Sequence, residues 1–234
     1  MTARRFFNWW LRLAYRLLLR LSVEGTEHVP PDGPVILIIN HINFLDPFVV
    51  AASMPRQVTA MSKIENFSIP VFGWIFKLYG AIPVNRGEAD RSALKMALAI
   101  LKSDTMLLIA PEGTRSPTLA LQKPLDGLAY LAYRSGAIIV PVALTGTPAF
   151  SHCIKRLRRT PVHLQVGIPF RFRSDSPRLT REQMTEMTNE AMYQLAALLP
   201  PKHRGLFSDL SRATTSHLEF VHPNGSNLPS QSKN

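Results

Sequence analysis

A histidine and an aspartate stand five residues apart directly after an apolar run, in the octapeptide Asn-His-Ile-Asn-Phe-Leu-Asp-Pro at residues 40–47. On a continuous helix, about 100° per residue would separate His41 and Asp46 by roughly 140°, so the pair meets only if the chain turns between them. Proline suits the first helical position, so we expect Asp46 to be the N-cap of a helix that begins at Pro47. A carboxylate held against an imidazole makes a general base for a hydroxyl. The alternative is a structural histidine beside an ordinary helix start.

Three further segments have polar residues or a proline at the end of, or within, an apolar stretch. Arg86 ends the stretch 80–86, where its planar charged fork can reach a phosphate or a carboxylate. The loop after the apolar run 106–109 offers an acceptor, a tight turn, a hydroxyl and a cation, which suits a polyol phosphate: Glu112, Gly113, Thr114 and Arg115. Pro141 interrupts the apolar run 138–144, which indicates an edge strand, a bulge or a place where a ligand passes. Taken singly, each segment is equally compatible with an ordinary turn, a capped loop or an edge strand.

Together, the four segments resemble a known family. His-x-x-x-x-Asp, Gly-x-Ile-x-x-x-Arg, Pro-Glu-Gly-Thr-Arg-Ser and Val-Pro follow one another over residues 41–141, as do the four blocks of the glycerolipid acyltransferase family, which includes 1-acylglycerol-3-phosphate acyltransferase. The resemblance covers roughly residues 35–170. It implies that His41 is the base, that Asp46 orients it, and that Lys63 stabilises the oxyanion formed when a thioester is attacked. It also implies that the acceptor's glycerol phosphate is bound by Arg86, Glu112, Gly113, Thr114 and Arg115.

The resemblance implies a reaction. A fatty acyl group would pass from acyl-CoA or acyl-carrier protein to the free hydroxyl of a lysophospholipid, with 1-acylglycerol 3-phosphate as the expected acceptor and phosphatidic acid as the product. Another lysolipid, a non-phosphate acceptor and a catalytically inactive membrane-bound scaffold remain the alternatives. We expect no bound cofactor, because the chain has no Walker loop, dinucleotide fingerprint or Gly-x-Ser-x-Gly motif. We expect no metal either, since Cys153 has no further ligands at zinc spacing.

The positive charge of the chain, +11 overall, is concentrated in two stretches. Residues 1–22 contain five arginines and no acid, and residues 151–181 contain eight cations against one acid. Such stretches fit phosphate-bearing surfaces, and the absence of any nucleic-acid-binding motif favours membrane lipids over nucleic acid as the partner. Four of the five arginines, at positions 5, 12, 16 and 20, fall on one side of a helix whose remaining surface is mostly apolar, and the charges at 12, 16 and 20 make it a poor membrane span. We therefore predict an amphipathic helix in the membrane interface and a monotopic protein on the cytoplasmic face.

The elements that position these residues alternate between strands and helices. Apolar runs end at residues 39, 109 and 144, with helical patterns between them, which predicts an α/β fold built on a mixed, largely parallel sheet flanked by helices. The carboxyl edge of that sheet would collect His41, Glu112 and Arg115. The segment 64–79 could line an acyl pocket, form core or contact the membrane. The predicted organisation is a membrane-interface helix, an acyltransferase domain and a polar, disordered tail, at residues 1–22, 23–200 and 201–234.

Overall fold

A mixed sheet of nine strands is the centre of the part of the chain that the computed structural model describes, which comprises residues 3–85, 90–103, 105–174, 176, 178–222 and 225–229. The side chains of residues 3–8 and 12 lie outside this description. The strands are β1 (Leu19–Glu24), β2 (Val35–Ile39), β3 (Val58–Lys63), β4 (Ile82–Val84), β5 (Met106–Ile109), β6 (Ile138–Thr145), β7 (Thr160–Val166), β8 (Phe170–Phe172) and β9 (Leu218–Phe220). The α-helices are α1 (Ala3–Leu18), α2 (Asp46–Ser53), α3 (Pro70–Leu78), α4 (Arg91–Leu101), α5 (Gly127–Ser135), α6 (Phe150–Lys155) and α7 (Arg181–Ala197).

The sheet is parallel through its middle and antiparallel at one side. The strand order is β1-β7-β6-β2-β5-β3-β4, and every neighbouring pair from β6 to β4 is parallel. Strand β7 runs antiparallel to β6, and β1 runs parallel to β7. Strand β8 pairs antiparallel with both β6 and β9. The predicted α/β class is confirmed, and the carboxyl ends of five strands meet at one edge.

The central strand β2 is buried on both faces. Its sequence Val-Ile-Leu-Ile-Ile is apolar throughout, as a strand covered on both sides requires. Because alternate side chains of a strand point to opposite faces, Ile36 and Ile38 pack with residues of α4, α5 and α7. Leu37 and Ile39 pack on the other face with residues of α2 and with β1 and β7. The two helical layers therefore hold this strand rigidly, and the loop that leaves it starts from a fixed point.

Pro141 lies in an interior strand and not at an edge. It pairs with Ile38 of β2, and its carbonyl accepts the N–H of Gly167 over 2.8 Å. On its other side the chain changes from β7, which ends at Val166, to β8, which begins at Phe170. Proline has no N–H group to donate to a neighbouring strand. At Pro141 the neighbouring strand is interrupted, so the sheet tolerates a proline there.

The N-terminal helix is shorter than the sequence predicts. Helix α1 ends at Leu18, and residues 19–22 belong to β1, with Leu19 paired to Thr160 and almost fully buried. The prediction of a helix through residue 22 is wrong because β7 offers β1 a strand partner, and the resulting ladder outweighs local helical preference. Among the described residues, no helix combines the length and the apolar character needed to cross a bilayer.

The predicted disordered tail differs from the structure over residues 201–222. Short 3₁₀ turns and β9 cover α7 there, and Phe207 is buried with its ring 5.1 Å from that of Tyr193. The buried carboxylate of Glu190 accepts hydrogen bonds from Ser216 N and His217 N, over 2.8 and 2.9 Å, and from a threonine hydroxyl. The prediction from composition is wrong because these polar residues donate hydrogen bonds to a buried carboxylate instead of to water.

Candidate active site

The loop that follows β2 brings His41 onto Asp46. The Nδ1 atom of His41 lies 3.0 Å from Oδ2 of Asp46. The carboxylate is fully buried, while the imidazole keeps 14% of its surface exposed. The chain turns sharply between strand and helix, so the two side chains that a continuous helix would separate come together. A base that solvent or a substrate can reach is thus backed by a carboxylate that solvent cannot reach.

Asp46 is the first residue of α2 and not its N-cap. Leu45 occupies the cap position, and the Asp46 carboxylate points back to the loop, where Oδ2 accepts the N–H groups of Ile42 and Asn43, each over 2.7 Å. The predicted cap geometry is wrong because the first two N–H groups of the helix after Pro47, which a capping side chain would bind, donate to the carbonyl oxygen of Leu45, each over 3.0 Å. The oxygen that holds the imidazole therefore also holds the loop that carries it.

Thr147 binds the other oxygen of Asp46, and sequence analysis did not single it out. Its hydroxyl Oγ1 donates to Oδ1 over 2.7 Å, and both residues are fully buried. The contact exists because Thr147 follows β6, which lies next to β2 in the sheet. Gly146 makes the turn: its φ is +89°, and a Cβ there would lie 2.0 Å from the carbonyl oxygen of Pro161. The Gly-Thr pair at a strand end was the available signal in the sequence.

Asn40 fixes the base of the same loop. Its Nδ2 donates to the carbonyl oxygen of Leu144, and its Oδ1 accepts the N–H of Leu144, both over 2.8 Å. The side chain is buried, so water does not compete for either bond. These two bonds extend the β2–β6 pairing beyond Ile39, and they hold the residue before His41 against the neighbouring strand.

Glu112 approaches the histidine from the loop after β5. Its Oε2 accepts the backbone N–H of Gln122 over 2.9 Å and the Gln122 side-chain amide over 3.2 Å. It also interacts with the backbone N–H and the imidazole of His41. Burial raises the pKa of the Glu112 carboxyl, and the contacts with Gln122 and His41 offset part of that rise. Gly113, at φ +69°, turns the loop so that this carboxylate faces inward.

The remainder of the Glu112 loop lies against His41 with its cation outside. The N–H of the buried Ser116 donates to the carbonyl oxygen of His41 over 2.8 Å. Thr114 and Arg115, which directly precede Ser116, are exposed. The structure therefore brings the predicted acceptor, hydroxyl and cation to one side of the base, and the guanidinium is free to meet a phosphate that arrives from solvent.

Lys63 and Arg86 complete the set of predicted site residues. Arg86 lies outside the described residues. Lys63 ends β3 at the same carboxyl edge, but its ammonium forms an ion pair with Oε1 of Glu65 over 2.9 Å, and its side chain is 43% exposed. An ion pair this exposed contributes little to stability, so it does not lock the ammonium in place. The role of Lys63 at an oxyanion stays a prediction.

An aromatic layer borders the His41 loop. Phe44 meets Phe72 edge to face with 6.3 Å between ring centroids, and Phe48 stacks on Phe76 at 6.0 Å. The segment 64–79 thus packs one side against the loop and α2. Its other side is exposed, with the apolar residues Ile64, Ile69, Val71 and Trp74.

The hydrogen bonds around Asp46 decide which nitrogen of His41 acts. The carboxylate is an acceptor that already receives backbone N–H groups, so Nδ1 donates to it, and the neutral ring presents Nε2 as the acceptor. A hydroxyl placed at Nε2 can transfer its proton to the ring, and the buried carboxylate stabilises the imidazolium that forms. Within the described ranges, no group of three or more histidine, cysteine or acidic side chains could hold a metal ion.

Comparison with known proteins finds a matching family model and related proteins. A family model described as "Acyltransferase" matches residues 20–145, which include His41, Asp46, Glu112 and Arg115. A 1-acyl-sn-glycerol-3-phosphate acyltransferase of Streptococcus pneumoniae is 30% identical over 203 residues, 83% of this chain and 74% of that protein.

Two further comparisons concern a longer relative and a solved structure. A protein of the same name from Chlamydomonas reinhardtii is 26% identical over 207 residues, 87% of this chain but 60% of its own length. The crystal structure of the lysophosphatidate acyltransferase PlsC from Thermotoga maritima superimposes with a TM-score of 0.61 at 24% identity, over 80% of this chain and 76% of that chain. This last likeness concerns the fold.

Proposed function

Because the chain belongs to the Acyltransferase family, we propose that it transfers a fatty acyl group from an acyl thioester to the free hydroxyl of 1-acylglycerol 3-phosphate. The observation that carries the proposal is the His41–Asp46 pair, 3.0 Å apart, beside a loop that holds a buried glutamate and an exposed arginine. A base without its own nucleophile suits a reaction in which the acceptor supplies the hydroxyl.

His41 performs the proton transfers in the proposed mechanism. Its Nε2 takes the proton of the acceptor hydroxyl as that oxygen attacks the thioester carbonyl, and Asp46 stabilises the imidazolium. The tetrahedral intermediate then collapses with cleavage of the C–S bond, and the departing thiolate receives the proton from His41. The products are the ester and the free thiol, and no acyl-enzyme forms. Positioned general-base catalysis of this kind is worth about 10² to 10⁴ in rate.

The Glu112 loop binds the acceptor in this proposal. Arg115, which is exposed, forms the charge-assisted contact with the phosphate, and Thr114 adds a hydroxyl donor. Glu112 accepts from a hydroxyl of the glycerol backbone, because its carboxylate lies near His41 and keeps free lone pairs. Arg86 would contribute a second cation. A phosphate-bearing lysolipid satisfies all of these groups, which is why we favour it over a neutral acceptor.

The donor is acyl-CoA or acyl-carrier protein, and we propose that no cofactor takes part. The thioester is already activated, so the protein needs to supply only a base and stabilisation of the oxyanion. Lys63, at the carboxyl end of β3, would supply the latter once its ammonium leaves Glu65. Phe44 and Phe72 offer an apolar surface beside the base, which fits the acyl chain of either substrate.

We also propose that the protein works on a membrane, at its cytoplasmic face. Helix α1 exposes about half of the surface of Trp9 and Trp10, and Leu17 is 68% exposed. Tryptophan is favoured at the membrane interface, where its ring meets both apolar chains and water. The acceptor is itself a membrane lipid, so a helix lying in the interface would keep the active site close to its substrate.

Acyl-transfer assays with a panel of acceptors test the proposal. Purified protein should acylate 1-acylglycerol 3-phosphate with acyl-CoA or acyl-carrier protein, and His41→Ala should lose about 10² or more of the rate. His163→Ala is the matched control, because that histidine lies on β7 with 42% of its side chain exposed and should be dispensable.

The panel separates the alternatives. Faster transfer to lysophosphatidylcholine or to a neutral acceptor than to 1-acylglycerol 3-phosphate would replace the acceptor while keeping the mechanism. Folded His41→Ala protein that retained wild-type turnover would refute the mechanism itself. No transfer to any acceptor, with intact membrane binding, would identify an inactive scaffold.

A further inference from the structure

One turn on the surface is both strongly basic and apolar. It comprises residues 154–159, which follow α6 and lead into β7, and we refer to it as the basic turn. Four of its six residues are cationic, and residues 150–163 contain no acid. At its tip, Leu157 is 97% exposed, and Ile154 is 40% exposed. The turn therefore presents an apolar side chain surrounded by positive charge.

Folding does not account for the leucine at this tip. Leu157 has φ +52°, a conformation that a bulky side chain rarely adopts and that glycine adopts without strain. The turn is held in this conformation by the Leu157 and Arg158 N–H groups, which donate to the carbonyl oxygens of Ile154 and Cys153, each over 3.0 Å. A side chain that is 97% exposed gains nothing from packing. Its apolar surface is useful only to something outside the chain.

The basic turn is fixed to the end of the N-terminal helix. Arg159 donates from Nε and Nη2 to the carbonyl oxygen of Leu19, over 3.0 and 2.6 Å, and Leu19 pairs with Thr160 in the sheet. Arg159 also lines, together with Arg16 of α1, an open cleft of about 460 Å³. The basic turn therefore lies next to the end of α1, where Leu17 is 68% exposed and Leu18 is 38% exposed.

This surface lies at the edge of the sheet that holds His41. Strand β7 starts where β6 ends, since the two are antiparallel and Thr145 pairs with His163. Thr147, which binds Asp46, is seven residues before Ile154, roughly 10 Å along a helical chain. The opposite end of β1 carries Glu24, so the acid lies away from the cationic end. Positive charge and exposed apolar side chains thus share the active-site edge.

We propose that the basic turn is a second membrane anchor, in which Leu157 enters the interface of an anionic bilayer while Lys155, Arg156 and Arg158 contact lipid phosphates. Its cations complement anionic lipid, and its apolar tip distinguishes this surface from one that binds a polyanion through charge alone. Together with α1 it would hold the active-site edge against the bilayer, so that an acceptor reaches His41 without leaving the membrane. The proposal rests on the proposed function for this consequence, but the anchoring itself does not depend on catalysis.

Vesicle flotation of the full chain tests the anchor. On vesicles of phosphatidylcholine mixed with phosphatidylglycerol, Leu157→Gly should lower the partition coefficient about tenfold or more, because it removes only the inserting side chain. Arg158→Gln should lower it about fivefold on the mixed vesicles and have no effect on phosphatidylcholine alone. Met96→Ala, which trims a side chain on α4 that is 42% exposed, should bind as wild type.

Two measurements keep the result unambiguous. Thermal melting should show Leu157→Gly to be at least as stable as wild type, since glycine relieves the strain at φ +52°. Transfer to a short-chain, water-soluble acceptor should be unchanged in Leu157→Gly. If no acceptor is acylated by any variant while flotation behaves as expected, the proposed function fails and the anchor stands.

Three outcomes would overturn the anchor. Wild-type flotation of Leu157→Gly would show that the leucine does not insert. A loss of binding to duplex DNA instead of to vesicles would assign the surface to nucleic acid. A change from dimer to monomer in sedimentation, with vesicle binding unaltered, would assign it to a second copy of this chain.

Discussion

Removal of the Thr147 hydroxyl should slow the reaction although Thr147 touches no substrate in the proposed mechanism. Valine has almost the shape of threonine, so Thr147→Val keeps the buried packing and deletes only the donor to Asp46 Oδ1. The other oxygen of Asp46 would keep its bonds to His41, Ile42 and Asn43. The carboxylate could then rotate about those bonds, and the imidazole would follow it.

The magnitude follows from the burial of both partners. A hydrogen bond to a charged group is worth about 1.5–3 kcal/mol, and solvent cannot replace this donor, so we expect the free energy of unfolding to fall by about that amount. If about half of it, close to 1 kcal/mol, is lost from the transition state, kcat falls roughly five- to tenfold. KM for the acceptor should change little, because Asp46 does not bind it. Thr147→Ser restores the hydroxyl and should recover most of kcat.

The serine variant separates an effect on the base from general loosening of the fold. Thr147→Ser keeps a donor to Asp46 Oδ1 but removes a methyl group from the buried packing, whereas Thr147→Val keeps the packing and removes the donor. Thr147→Val should therefore lower kcat with little change in KM, and Thr147→Ser should not. Equal losses of kcat in the two variants would refute the assignment of Thr147 as a positioning residue for the base.

Three further variants test neighbouring parts of the site. Burial raises the pKa of Glu112, so the wild-type protein loses stability as the pH rises above the ordinary glutamate pKa of about 4.3. The melting temperature of Glu112→Gln should therefore exceed that of wild type by a margin that grows with pH. A margin independent of pH would exclude the carboxylate as its cause. Arg115→Ala should raise KM for a phosphate-bearing acceptor about tenfold or more and leave donor saturation unchanged, whereas a change confined to the donor would show that the arginine binds the donor's phosphates. Gly146→Ala should lower the free energy of unfolding by about 2 kcal/mol or more, since its Cβ would meet Pro161 O at 2.0 Å; near-wild-type melting would show that the turn can move aside.

Local patterns in the sequence are sufficient to predict where three strands end and where one helix begins. The apolar runs that end at residues 39, 109 and 144 are strands, and their common direction places His41 and Glu112 at one edge. A capping box marks the start of α7, with Thr180 and Gln183 each bonding the other's backbone N–H. These features depend on residues within a few positions of one another, where periodicity and capping chemistry are informative.

The parts that sequence reasoning missed depend on distant pairing. The bond from Thr147 to Asp46 joins residues 101 positions apart, and no local pattern announces it. Residues 19–22 are predicted to be helical but belong to β1, because the partner strand β7 starts about 140 residues later along the chain. The ordered segment 201–222 looks disordered by composition, yet its polar groups surround Glu190, whose burial is invisible in sequence.

The orientation of the base is therefore a property of the β2–β6 pairing and not of the His41 loop alone. Asn40 binds Leu144 on one side of His41, and Thr147 binds Asp46 on the other, so the loop is tied at both ends to the carboxyl end of one neighbouring strand. Strand β6 in turn pairs with β7, which carries the basic turn at its start. The same strand end thus sets the direction of the imidazole and the position of the surface proposed to meet the bilayer. In the proposed function, this shared support keeps the base in one geometry relative to a membrane-bound acceptor.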